Sequence, residues 1–255
     1  RFHADGLCLR HSGDYRLINE LASIPRPELT MPESEAAHLR EAYAAADVIL
    51  EYGVGGSTVM AAEMAGKTIT SVETDQLWVQ TLQDWFKQNP CKSTPDIIWA
   101  NIGPTKAWGR PKDETQWKDF AKYPLDIWML EDAPHPDVVL VDGRFRAGCV
   151  LATAFNCKRD TRVLVDDYKR RDSYHGIEKI VGTPRLIGRM AEFEITPTPI
   201  PAEHAFPSLK NPSHPTSPTT AATSTPARMR QRRFSSHEVH IELTRVSRDQ
   251  NVMLN

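Results

Sequence analysis

The residues best equipped for chemistry stand at the ends of short apolar runs. Gly53-Val54-Gly55-Gly56 follows Val48-Ile49-Leu50, and Glu73 closes the run Thr68 to Val72. Glycines let a backbone approach a ligand closely, a helix N-terminus offers free N–H groups, and a carboxylate can accept two ribose hydroxyls. Together these features suit a nucleoside ligand. Asn101, Asp142 and the pair Asp166-Asp167 follow three further apolar runs, and Arg144 and Arg146 come just after Asp142. Arginine stays protonated and is a poor base, but its planar fork suits a carboxylate or phosphate on a substrate. Histidine is the side chain suited to proton transfer at neutral pH, and His175 is the best candidate for a general base, with a solvated surface histidine as the bland alternative.

Such residues work only if the chain brings them together, and the pattern between them describes how. Val48-Ile49-Leu50 reads as a buried parallel strand. After the glycine turn, Ser57 and Thr58 can cap a helix through Met64 that Gly66 stops, and Thr68 to Val72 returns as a second strand. The runs 96–100, 137–142 and 161–167 read as three more strands. A helix opening with the capping box Thr30-Met31-Pro32-Glu33 precedes the first strand, its apolar face carried by Ala36, Leu39, Tyr43 and Ala46. Asp75 caps another helix through about Gln88, with Leu77, Leu82, Trp85 and Phe86 as its buried side. The segment 105–123 lacks periodicity and reads as a long loop or short helices over the site. Its Trp108 is either a loop anchor or a substrate contact. Leu186-Ile187 and Met190 to Ile195 could form a closing antiparallel hairpin. The fold class is therefore α/β, a doubly wound and mostly parallel sheet, and in such sheets the ligand crevice lies beyond the carboxyl ends of the strands.

The chain of 255 residues can bury one substantial core. The segment 1–29 reads as a loosely ordered lead-in, 30–196 as the folded domain, and the Pro/Ser/Thr-rich stretch 197–255 as a disordered tail. A net charge of −2 gives no electrostatic reason to expect nucleic acid or an anionic membrane. The four cysteines, Cys8, Cys91, Cys149 and Cys157, have no C-x-x-C spacing, so they read as reduced thiols in the cytoplasm. No run of 18 apolar residues is present, and with Arg1 at its start and no signal-like segment the chain reads as a fragment or processed product.

The spelling of the glycine turn separates two ligand classes. A dinucleotide turn reads G-x-G-x-x-G, but Thr58 occupies the third glycine position here. With Glu51 two residues ahead of Gly53, the stretch Leu50-Glu51-Tyr52-Gly53 resembles the first motif of the class I S-adenosylmethionine (SAM) methyltransferases. The pieces LEYGVGGST, SVETD, NIGPTKAWGRP, PDVVLVDGRFRAGC, VLVDDY, YHGIE and GRMAEFEI are similar to one bacterial group of class I methyltransferase-like proteins. That resemblance implies a Rossmann-like fold with SAM held by Glu51, Gly53, Gly55, Gly56, Ser57 and Glu73. Asn101 and Ile102 would lie by the adenine, and Asp142 by a small-molecule acceptor contacted by Arg144 and Trp108. The resemblance supplies no substrate; the expected function is methyl transfer to a small acceptor, with O-methylation foremost. Asp142, Asp166 and Asp167 also resemble the magnesium ligands of metal-dependent O-methyltransferases, where the ion would lower the pKa of a substrate hydroxyl. The alternatives are an NAD-dependent oxidoreductase on the same unit and a non-catalytic binding or scaffold protein.

Overall fold

The computed structural model describes residues 24–199. The segments 1–23 and 200–255, with most of the expected lead-in and tail, lie outside the described residues.

Alternation between apolar runs and amphipathic helices sets the order of elements. Helix α1 (Glu33–Ala45) leads into β1 (Val48–Tyr52), α2 (Gly56–Ala62), β2 (Thr68–Glu73), α3 (Gln76–Gln88) and β3 (Pro95–Trp99). A small antiparallel ribbon follows, β4 (Thr105–Lys106) and β5 (Arg110–Pro111), then α4 (Lys122–Met129) and β6 (Val138–Val141). The last elements are α5 (Arg146–Asn156), β7 (Thr161–Val165), the short α6 (Glu178–Val181), β8 (Arg185–Ile187) and β9 (Met190–Ile195). The main sheet has the order β3-β2-β1-β6-β7-β9-β8. Its first five strands are parallel, and β9 enters antiparallel between β7 and β8. The chain thus reverses its winding direction between β1 and β6, which places a crevice at their carboxyl ends.

Strand alternation divides the core into two layers. Leu50, Tyr52, Val139 and Val141 face α4 and α5, while Ile49, Leu140 and Leu164 face α1 and Ala61 and Ala62 of α2. On the far side, Val79, Leu82 and Trp85 of α3 are buried.

Several local expectations change. No Thr30 cap forms: α1 starts at Glu33 behind Pro32, whose fixed φ suits a helix entry. Ser57 and Thr58 lie inside the first turn of α2, whose N-cap is Gly55, and Thr58 caps from the N3 position by accepting from the Gly55 amide. In α3, Leu77 is about half exposed, and Val79 takes its place in the core. Residues 24–29 are not a loose lead-in where they are described. Pro27 is buried, Arg26 forks onto Glu63 at 2.9–3.2 Å, and the Glu28–Leu29 backbone crosses Gly56 where any Cβ would collide. Helix α4 arises in a stretch with no sequence signal, although Tyr123, Leu125 and Ile127 give it a buried face.

Candidate functional site

The glycine turn and Glu73 meet at the carboxyl edge of the sheet. The Val54 amide lies 3.4 Å from Glu73 Oε2, and Glu73 Oε1 accepts from the Thr74 and Asp75 amides at 2.6 and 3.1 Å. Gly53 takes φ 111°, a value only glycine adopts at little cost. A Cβ on Gly53 would come within 2.8 Å of Gly143 N, so the β1 turn and the segment after β6 touch directly. The Gly143 and Asp142 amides both donate to the Tyr52 carbonyl, at 2.6 and 2.9 Å. Glu73, the turn and Asp142 therefore form one continuous rim.

Glu51 does something other than face a ligand. It is fully buried, and three hydroxyls donate to its carboxylate: Tyr43 at 2.7 Å, Thr58 at 2.6 Å and Ser71 at 2.6 Å. Burial raises its pKa, against the pull of those hydrogen bonds. Thr58 Oγ1 also accepts from the Gly55 amide at 3.1 Å. The threonine at the third glycine position thus pins the turn to the strand before it. Ser57 is buried in the same direction, beside Tyr43 and Glu51. Gly56 is spoken for by the crossing of Glu28–Leu29, whereas Gly55 has open space where a side chain would be.

The third strand's contribution divides. Asn101 is exposed, its Oδ1 accepting from the Gly103 amide at 3.0 Å. Ile102, expected by a ligand, is 1% exposed and belongs to the core. Three tryptophans also stand near this edge. Trp78 Nε1 donates to the Val54 carbonyl at 2.8 Å, and Trp99 Nε1 to the Thr74 carbonyl at 3.1 Å. Trp108 is 78% exposed at the tip of the β4–β5 ribbon with φ 67° and ψ 29°, and the ribbon docks through Thr74 Oγ1 to the Gly109 carbonyl at 2.8 Å.

The acids after β6 and β7 are already matched by arginines. Asp166 takes a two-pronged contact from Arg189, Nε to Oδ1 at 3.0 Å and Nη2 to Oδ2 at 2.8 Å. Asp167 pairs with Arg171 at 3.2 Å and Arg189 at 3.1 Å, and Asp142 with Arg146 at 2.9 Å. Among the described residues no group of three or more His, Cys, Asp or Glu side chains is placed to hold a metal. This donor set does not fit magnesium, because bound guanidinium groups hold the places an ion would need. Burial pushes the Asp142 carboxyl up to about 6; Asp166 and Asp167 add to the rise, and Arg146 and Arg189 oppose it. His175 stacks on Tyr168 with ring centroids 4.9 Å apart and has Asp172 at 4.0 Å, and none of its polar contacts is with an acid of the rim.

The rim's arginines and hydroxyls could not have been told apart from spacing alone. Arg189 lies 23 residues from Asp166, in the turn between β8 and β9, and Tyr43 lies eight residues from Glu51, on α1; packing of the hairpin and of the helix against the sheet brings each to its carboxylate.

The chain is similar to a methyltransferase-like protein from Silicibacter pomeroyi, at 50% identity over 71% of this chain and 95% of that one, with a TM-score of 0.69. More distant likenesses include a SAM-dependent O-methyltransferase from Thermotoga maritima, at 10% identity over 71% of this chain and 70% of that one, TM-score 0.44. Another is an O-methyltransferase from Bacillus cereus in complex with SAH, at 14% identity over 64% and 68%, TM-score 0.42. At that distance neither bears on the site. No family model matches the chain, and no curated protein matches it.

Proposed function

This chain belongs to the same methyltransferase-like family as the Silicibacter pomeroyi protein, and on that premise we propose that it binds SAM and methylates a hydroxyl on a small acceptor. One observation carries this reading. The glycine turn and the Glu73 carboxylate lie side by side on a rim that continues directly to Asp142. Open space at Gly55 and the partly exposed Glu73 carboxylate fit the amino-acid end and ribose of the cofactor. Asn101 and the partly exposed Trp78, Trp99 and Trp108 are the groups this reading assigns to the adenine.

When bound, SAM supplies a methyl group on a sulfonium, open to in-line displacement. The protein's share is to hold the acceptor oxygen in line and to accept its proton. Positioning of this kind can contribute on the order of 7–11 kcal/mol. Asp142 is the group suited to the proton: it is at the rim, about a third of its side chain is exposed, and a pKa of about 6 keeps it basic near neutrality. It takes that role in place of His175, whose ring is committed to Tyr168. No metal step enters, since the acids are bridged by arginines.

Calorimetry with SAM and with S-adenosylhomocysteine tests the reading. The native chain should bind both, and Glu73→Ala should weaken each at least tenfold, the loss expected when a charged acceptor of about 1.5–3 kcal/mol is removed. Binding of NADH with no response to SAM would overturn it in favour of a dehydrogenase. Retained SAM affinity without S-adenosylhomocysteine release across a broad acceptor panel would point to a binding protein instead.

A further inference from the structure

Arg144 is the one arginine of the rim's β6–α5 turn whose charge has not been answered. Arg146, two residues on, is fully engaged: it donates to the Asp142 carboxylate and to the carbonyls of Asp142, Gly143 and Asp166. Arg171 and Arg189 take Asp166 and Asp167. Arg144, by contrast, makes no ion pair and no side-chain hydrogen bond among the described residues, and its Nε is enclosed without a partner. Enclosing such a donor unpaired costs on the order of 1–3 kcal/mol, more for a charged group. Burial and the like charges of Arg146 and Arg110 work against its guanidinium, and the phenols of Tyr123 and Tyr174 favour it without supplying a full negative charge. Helix α5 begins two residues later with no side-chain cap, so its first amides add to the same positive field. An enclosed donor of this kind calls for an acceptor, and the neighbouring cations favour one that carries negative charge.

We propose that Arg144, with Arg110 beside it, receives an anionic group of the acceptor, a carboxylate or phosphate, so that the acceptor is a hydroxylated acid and not a neutral alcohol or phenol. This rests on the methyl-transfer reading above. Arg144 lies two residues beyond Asp142, so the acceptor's anionic end and its reacting hydroxyl fall on one short stretch of the rim. A planar guanidinium grips either anion through two parallel N–H···O contacts, which fixes the direction in which the hydroxyl points.

The test titrates the full chain with inorganic phosphate and, separately, with acetate at constant ionic strength. Native protein should bind at least one of them saturably, and the stronger of the two names the source of the anion. Arg144→Gln should weaken that binding tenfold or more, and Arg144→Lys by a smaller factor because a point charge replaces the fork. Arg40→Gln, on the exposed side of α1, should leave binding unchanged. SAM titrations on the same proteins keep the two ideas separate. Arg144→Gln with native SAM affinity and lost anion binding supports the proposal. Native-like anion binding in Arg144→Gln, or no saturable anion binding by the native chain, overturns it while leaving SAM recognition to stand or fall by its own titration.

Discussion

At the scale of single residues, the site depends on carboxylates that look alike in sequence and behave differently in place. Glu51, Glu73 and Asp142 all end or interrupt apolar strands. Glu51 is sealed among three hydroxyls, Glu73 is partly open at the rim, and Asp142 sits between Arg146 and two other acids. Burial and like charge raise the Asp142 pKa from 3.8 to about 6, so ionised Asp142 is a cost on folding that grows as pH climbs across that interval. The same shift sets the expected pH profile. Methyl transfer should rise with pH through about 6 and level off above it, as the carboxylate becomes free to accept a proton. Asp142→Asn should lower the rate on the order of 10²-fold or more and abolish that rise while SAM affinity stays near native. A native profile in the asparagine variant would remove Asp142 from the chemistry. Which carboxylate takes which role was legible only in part. Glu73 and Asp142 stand at strand ends, as the spacing indicated, but nothing local says that Tyr43 and Ser71 reach Glu51.

Among the elements, the β4–β5 ribbon shows where sequence reading loses resolution and why. Its strands are two residues each, too short for alternation to register, and their pairing is closed by a contact to Thr74, 35 residues away from Gly109. The long parallel strands, by contrast, announce themselves through unbroken apolar runs, since both faces are covered. Helix α4 is hard to read because Pro124 lies in its first turn and its eight residues are too few to set a clear helical period. Trp108 at the ribbon's tip holds a left-handed conformation that a bulky residue rarely adopts, at a cost of about 1–2 kcal/mol, and leaves most of its ring in solvent. Neither choice serves stability. Trp108→Gly should therefore raise stability by about 1 kcal/mol in denaturant unfolding while weakening SAM or acceptor binding severalfold. If the glycine variant gains stability with all binding intact, Trp108 is a surface residue and nothing more.

For the molecule as a whole, the sheet joins two tasks that meet on β7. Its carboxyl end supplies Asp166 and Asp167 to the rim, and its amino-terminal half holds the antiparallel hairpin through a buried charge cluster. Glu192 of β9 is 4% exposed at the side chain and is approached by Arg162 of β7, Arg185 of β8 and His38 of α1, the last at 3.3 Å. The parallel strands could be read from the apolar segments, but this cluster could not, because it depends on the register Arg162↔Glu194 and Arg185↔Glu192. Burial would raise the Glu192 pKa, yet the hydrogen bonds from Arg185 and Arg162 and the nearby charges bring it below its ordinary 4.5. The sign follows: a depressed carboxyl stabilises the fold above pH 4.5, and that contribution is lost as pH falls through the folded-state pKa. Native protein should lose stability steeply on acidification below pH 4.5. Glu192→Gln should be destabilised near neutrality, where it leaves Arg162 and Arg185 facing each other, by about 1–3 kcal/mol. It should also show a flatter decline in acid. Urea unfolding at several pH values measures both, and parallel curves for the two proteins would show that the hairpin is held by its strand pairing alone.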